Sequence, residues 1–253
     1  MIVWRKIMAK IIWDTIGDRY YENGVDHCVL YPIITTGQNA GTYSTGVPWN
    51  GVTKISEKPS GADANKKWAD NINYLTIYGA EEFACSIEAY TYPDEWMECD
   101  GSAPLKVATG SGANITYTDV PGARVGQQPR RGFGLTYRTK IGNDVAGGDY
   151  GYKLHLVYGC RASTSDRGYE TINDSPDALT FSWEITTTPI AMPGLKPAAL
   201  ITVDSRDFTG DAITKLQLLE SKLYGKEGTG TANNPILPMP DVVAGILSGQ
   251  VTS

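Results

Sequence analysis

The sequence predicts a mainly β protein, a β-sandwich or half-barrel with one flanking α-helix and long loops. Its 253 residues include 28 Gly, 14 Pro and 15 Tyr but only 4 Phe, a composition that favours short strands joined by turns. Several segments alternate apolar and polar residues with the period of two that half-buried strands show. Only residues 211–224 have a clear helical period. One domain over residues 1–253 is therefore expected.

The clearest strand is predicted at residues 181–187, and it ends before Pro189 because proline cannot donate to a sheet. Residues 133–141 and 152–158 are predicted to form a hairpin, since residues 143–148 between them tolerate a positive φ. Four further strands are predicted at residues 25–31, 72–78, 83–92 and 199–204. Seven strands at this spacing are typical of a sandwich or barrel.

The helix prediction depends on leucines and an isoleucine at helical spacing between Asp211 and Gly225, namely Ile213, Leu216, Leu219 and Leu223. Three long loops are expected at residues 35–51, 108–126 and 227–240, and loops of that length usually have a function. The pattern of apolar and polar residues predicts no definite secondary structure for residues 225–253. If Met8 is the start, residues 1–7 are an N-terminal extension.

Composition argues against several classes of function. A formal net charge of −6, from 28 acidic and 22 basic residues, disfavours tight nucleic-acid binding. The chain has no phosphate-binding loop, nucleophile elbow or H-E-x-x-H motif, and its two histidines lie in predicted strands. We expect no enzymatic activity, no catalytic residue, no cofactor and no metal site. Four widely spaced cysteines favour a reducing compartment, and no export or membrane segment is predicted.

Two alternative functions depend on other clusters. A glycoside hydrolase needs two carboxylates that face each other, and six candidates cluster in sequence: Glu81, Glu82, Asp94, Glu95, Glu98 and Asp100. Six tryptophans would suit a carbohydrate-binding β-sandwich module of a virion, although core or subunit contacts are the commoner use of tryptophan.

Eleven stretches, taken in order, resemble the major tail protein family of long-tailed bacteriophages. Among them are YENGVDHCVLYP at 21–32, IEAYTYPDEW at 87–96 and GYKLHLVYG at 151–159. The others are residues 46–51, 69–75, 80–83, 98–102, 126–130, 137–144, 173–176 and 180–184. The resemblance covers most of residues 8–224. Residues 108–124 and those after Gly225 depart from the family pattern.

The resemblance implies a structural virion protein of the tail, assembled in the host cytoplasm. Its hexameric rings would stack into a tube that conducts the genome into the host. The implied partners are further copies of the chain, a tape-measure protein, and tail terminator or baseplate proteins, while DNA passes through the lumen without specific binding. Membrane insertion is not implied.

Candidate residues for this assembly follow from the loops and strands. We expect the 35–51 loop to reach the adjacent ring, with Thr36, Tyr43 and Trp49 as contacts and Trp49 as its large anchor. Glu88 and Glu184 are candidate lumen-facing residues that would give the wall a negative potential.

Overall fold

The computed structural model describes residues 13–61, 63–111, 114–169, 171, 177–228 and 233–250. The first six strands are β1 (Tyr20–Pro32), β2 (Val47–Pro48), β3 (Val52–Glu57), β4 (Ala64–Ala69), β5 (Ile72–Tyr78) and β6 (Ala84–Ala89). The other six are β7 (Ala103–Thr109), β8 (Thr116–Val125), β9 (Phe133–Asn143), β10 (Gly147–Ala162), β11 (Phe181–Thr187) and β12 (Leu200–Asp204). The helices are α1 (Trp96–Cys99), α2 (Ala212–Tyr224) and α3 (Pro240–Ser248). A mainly β fold with a flanking helix is confirmed.

Eight strands form one antiparallel sheet in the order β2, β1, β9, β10, β11, β6, β3, with β12 also paired to β10. β10 is 16 residues long. Its middle residues pair with β12 and its last three pair with β11. β1 and β3 lie near opposite ends of this order, yet they contact each other. The sheet therefore curls into a half-barrel.

The inner face of the curled sheet holds an aromatic core. Trp49, Trp96 and Trp183 lie with ring centroids 4.5–5.5 Å apart, and each is at most 3% exposed. The four cysteine thiols are buried in the same cluster, and burial raises their pKa, so they remain protonated. Strand alternation directs the core side chains of β1, β6, β9, β10 and β11 inward. Trp49 joins them from a loop, and Trp96 and Cys99 join them from α1.

The outer face of β1, β10 and β12 is covered by α2 and α3. Leu216, Leu219 and Leu223 of α2 pack in one cluster with apolar side chains of these strands and α3. The Tyr31 hydroxyl donates to the Leu223 carbonyl at 2.7 Å, and the Tyr158 hydroxyl donates to the Pro238 carbonyl at 2.9 Å. Each hydroxyl therefore gives a hydrogen bond to a backbone carbonyl in α2 or just before α3.

The helix prediction is confirmed over Ala212–Tyr224, and Gly225 ends α2 with a φ of 83°. Ile213 was expected in the apolar stripe, but it is 43% exposed. α3 was not predicted because nine residues beside a proline-rich segment give too short a pattern. No helix in the described ranges is long and apolar enough to cross a bilayer.

The predicted hairpin between β9 and β10 is also confirmed. The Asn143 side-chain oxygen accepts hydrogen bonds from the backbone N–H groups of Val145 and Ala146, and Gly147 has a φ of 65°. This is the local side-chain bonding that favours Asn in turns. By contrast, the expected loop at 108–126 is wrong, because most of its described residues belong to the β7–β8 hairpin.

An ion pair fixes the irregular part of β1. Asp26 lies where the register of β1 against β9 shifts, and Arg138 donates two hydrogen bonds to its carboxylate at 2.7 and 2.9 Å. The Arg138 guanidinium lowers the pKa of Asp26. The carboxylate therefore stays ionised and the pair stabilises the bulge down to acidic pH, where protonation of Asp26 would weaken it.

Leu219→Ala should lower the free energy of unfolding by about 2–5 kcal/mol, because it leaves a cavity between α2 and the sheet. Ile213→Ala is the matched control, since Ile213 lies exposed on the same helix, and it should cost under about 1 kcal/mol. Chemical denaturation followed by circular dichroism measures both. Equal losses would contradict the packing of α2.

Candidate self-assembly surface

β4 and β5 pair with each other as a two-stranded ribbon, here named the first ribbon. Asp70 and Asn71 join its strands with φ values of 51° and 60°, as a type I′ turn requires. A bridge between Ser60 and Glu82 links the ribbon to the β3–β6 ladder. β3 to β6 thus form one long hairpin that leaves the curled sheet. The Asp70-Asn71 pair before Ile72 is the sequence signal for this turn. The sequence pattern predicted only the β5 strand and neither β4 nor the turn.

Glycines form the crossing at the base of the first ribbon. Gly61 has a φ of 92°, and a Cβ there would lie 2.5 Å from the Ala80 carbonyl oxygen. A Cβ at Gly79 would lie 2.5 Å from the Gly61 carbonyl oxygen. The two strands can approach this closely only without side chains.

Both faces of the first ribbon carry exposed apolar side chains. Beyond the register shift at Tyr74, strand alternation places Tyr78, 70% exposed, on one face and Leu75 and Ile77, 49% and 48% exposed, on the other. Tyr74 itself is also 70% exposed. Trp68 is 68% exposed. A soluble monomer gains nothing from large apolar side chains on both sides of a projecting ribbon, so these faces have the character of contact surfaces.

A second ribbon, β7 with β8, has the same character. Its exposed apolar residues include Leu105, Val107 and Tyr117. Lys106 pairs with Asp119 across the strands at 2.6 Å. Its two strands are exposed except at Ala103, Pro104, Val120 and Ala123, which are half-buried. Two ribbons therefore extend from the half-barrel with little support from its cores.

The curled sheet itself has unpaired strand edges. Among the described strands, β3 pairs only with β6, and β1 pairs with β2 only at Val29 and Leu30. The N-terminal half of β1 therefore has one free edge, and so does β3. Free edges of this kind accept strands from other chains.

The three residues predicted for inter-ring contact lie in three different environments: one is buried, one is half-buried and one is exposed. Trp49 is 3% exposed and its indole N–H donates to the Thr91 carbonyl at 2.9 Å, so its assignment as the exposed anchor of the loop is wrong. The aromatic cluster buries it instead. Tyr43 is half-buried, and its hydroxyl accepts the backbone N–H of Gly159 at 2.9 Å, which fastens the loop to its own chain. Thr36 is exposed near the loop tip.

Glu88 and Glu184 lie on the polar face of β6 and β11, opposite the aromatic core. Glu184 is exposed and pairs with Lys58 at 2.6 Å, and Glu88 pairs with Lys54 at 3.5 Å. Because each carboxylate has a lysine beside it, the two add little net negative potential. Their position in a lumen remains a prediction.

The carboxylates considered for glycoside hydrolysis are dispersed among structural contacts. Glu98 pairs with Arg131 at 2.8 Å, and Asp100 pairs with Arg167. Of the tryptophans considered for sugar stacking, Trp49, Trp96 and Trp183 are in the core, while Trp13 and Trp68 are exposed. Trp4 lies outside the described residues, as do residues 1–7.

No protein-family model matches the chain, and no curated protein matches it. No group of three or more His, Cys, Asp or Glu side chains within the described ranges could hold a metal ion. The described chain does present exposed ribbons and free strand edges.

Gly61→Val should loosen the first ribbon, because the new side chain meets the Ala80 carbonyl oxygen and is strained at a positive φ by about 1–3 kcal/mol. Amide hydrogen exchange should accelerate over β4 and β5, while β9 and β10 stay protected. The control is Gly126→Ala, where a Cβ meets nothing within 4 Å. Unchanged exchange in the valine variant would contradict the glycine crossing.

Proposed function

We propose that the chain is a structural virion protein that self-assembles into stacked hexameric rings, which form a phage tail tube through which the genome passes. The observation that supports this most is the pair of ribbons with apolar residues exposed on both faces. The family resemblance of residues 8–224 supports the particular form of the assembly.

The energetics of the ribbons favour a partner. A two-stranded ribbon alone in water is at best marginally stable, and it gains stability when a further strand or an apolar surface covers it. In the first ribbon, the outer backbone edges of β4 and β5 pair with no other described strand. Assembly would satisfy these backbone groups and bury the exposed aromatic side chains together.

A second copy of the chain is a suitable partner because one molecule carries both complementary parts. Its ribbons offer strands, and the edges of β3 and β1 accept strands. A contact between two different surfaces of the same chain is heterologous, so it repeats around a ring or along an axis rather than closing as a twofold dimer. Rings that stack in this way give a tube of open length.

The net charge suits a conduit for DNA. Affinity for DNA comes largely from cationic side chains that release its counterions, and the chain has an acidic excess of six charges. A wall of such subunits would let the genome pass without holding it. The tape-measure protein and the tail terminator or baseplate proteins are the further partners of this proposal.

Purified wild-type protein should form six-fold rings or hollow tubes when concentrated, because each added subunit covers ribbons that are exposed in the monomer. Negative-stain electron microscopy and analytical ultracentrifugation measure this over a concentration series. A protein that stays monomeric over the whole series would contradict the proposal.

The double variant Leu75→Lys, Tyr78→Lys should raise the concentration needed for assembly at least about tenfold, because it places a charge on each face of the first ribbon. Leu195→Lys is the matched control. Leu195 is 78% exposed in a turn outside both ribbons, and its variant should assemble as the wild type does. Circular dichroism confirms the fold of both variants. Normal tubes from the double variant would exclude the first ribbon as a contact.

A further inference from the structure

A polar cavity of about 630 Å³ opens between β1 and β3, above the inner face of β9 and β10. His155 of β10 lies at its floor and is 7% exposed. Glu57 of β3 lines the same cavity, and its Oε1 atom is 3.4 Å from Nδ1 of the His155 ring. β3 and β10 are not hydrogen-bonded neighbours in the sheet. The two side chains therefore make a polar contact across the curl.

The His155 ring is held in one orientation. It stacks on Tyr137 with centroids 4.5 Å apart and planes within 6°, and its Nε2 atom is 3.0 Å from the Thr139 hydroxyl. The Tyr137 hydroxyl donates to Oε1 of Glu57 at 2.6 Å. In the neutral tautomer that has its proton on Nδ1, this N–H group faces the Glu57 carboxylate, and Nε2 can accept a hydrogen bond from Thr139. The neutral ring thus suits both of its neighbours.

Apart from Glu57, the charged groups around His155 nearly balance. Glu22 of β1 pairs with Lys153, which lies two residues before His155 on β10. Lys54 of β3 also lines the cavity, and it pairs with Glu88 at 3.5 Å. Each of these two carboxylates has a lysine beside it. Little net charge therefore remains from these pairs to favour or oppose a charge on the ring.

Burial decides which form of the ring the fold prefers. A second proton would place a cation at a site with 7% exposure, whereas the Glu57 side chain is 40% exposed, so water screens its charge. Burial therefore lowers the pKa of His155 below its ordinary value of 6.5, although the Glu57 charge opposes this shift. The unfolded chain takes up the proton more readily than the folded chain. The stability that the neutral ring contributes is thus complete above pH 6.5 and is lost as the pH falls from there through the lowered pKa.

We propose that His155 and Glu57 form a proton-sensitive clasp, which holds β3 against β10 while the imidazole is neutral and loosens β3 when the imidazole is protonated. β3 pairs with β6 alone among the described strands, and a strand with one free edge opens at a lower free energy than a central strand. β3 is also the base of the long hairpin that carries the first ribbon. The sequence pattern predicted no such contact, because residues 57 and 155 come together only through the curl of the sheet. The inference does not depend on the proposed function.

The pKa of His155 can be measured directly, because the chain has only two histidines. His27→Asn assigns the imidazole signals in a proton NMR titration, since His27 has a φ of 50°, which Asn tolerates, and does not line the cavity. The His155 signal should titrate below pH 6.5. Glu57→Gln should lower this midpoint further, because it removes the charge that favours the imidazolium form, while glutamine can still accept the Tyr137 hydrogen bond. A midpoint at or above pH 6.5, or one that Glu57→Gln leaves unchanged, would overturn the proposal.

Amide hydrogen exchange at about pH 7 and about pH 5, corrected for its intrinsic pH dependence, measures the loosening of β3. In the wild type, protection of residues 52–57 should fall by up to about tenfold for each pH unit between pH 6.5 and the His155 midpoint. In His155→Gln the protection should stay the same at both pH values, and equal pH dependence in the two proteins would overturn the proposal. Circular dichroism establishes that each variant is folded. If His155→Gln does not fold, Glu57→Gln decides, since its loosening should move to lower pH together with the His155 midpoint, and loosening at the wild-type pH would exclude the clasp.

Discussion

β10 is buried on both faces, and the rest of the structure depends on that constraint. Its even-numbered residues Leu154, Leu156 and Tyr158 pack against the helices, while the intervening Val157 packs in the aromatic core. A slip of one residue would exchange the two faces. The strand is also hydrogen-bonded to β9, β11 and β12. Its register thus fixes both cores, and it also sets where His155 lies.

Neither core includes a residue of the two ribbons, so the apolar side chains of the ribbons stay exposed. The inner core uses the aromatic side chains, and the outer core uses α2 and α3. The first ribbon begins beyond Ser60, where the chain has already left the β3–β6 ladder. β4 and β5 have six and seven residues, which span roughly 20 Å at about 3.3 Å per residue. Side chains at that distance cannot reach either core of their own molecule, which is why apolar residues there point to another chain.

Part of the candidate site was predictable and part was not. Alternation put Glu184 on the face opposite Trp183, where the structure has it. It could not show that Lys58 lies beside Glu184 or Lys54 beside Glu88, because the lysines come from a distant part of the chain. Trp49 was misplaced for a similar reason. Its loop is rich in glycine and looked exposed, yet the half-barrel provides a buried position beside Trp96 and Trp183. Local composition does not report such long-range packing.

The sequence by itself determined the β class, the strands with strict alternation, the β9–β10 hairpin and helix α2, since each depends on neighbours within a few residues. Only the tertiary structure decided that residues 103–125 form a ribbon, that α3 exists, and that Glu57 meets His155. These features depend on pairing and packing between residues far apart in the chain. The curl of the sheet supplies those neighbours, and no local pattern encodes them.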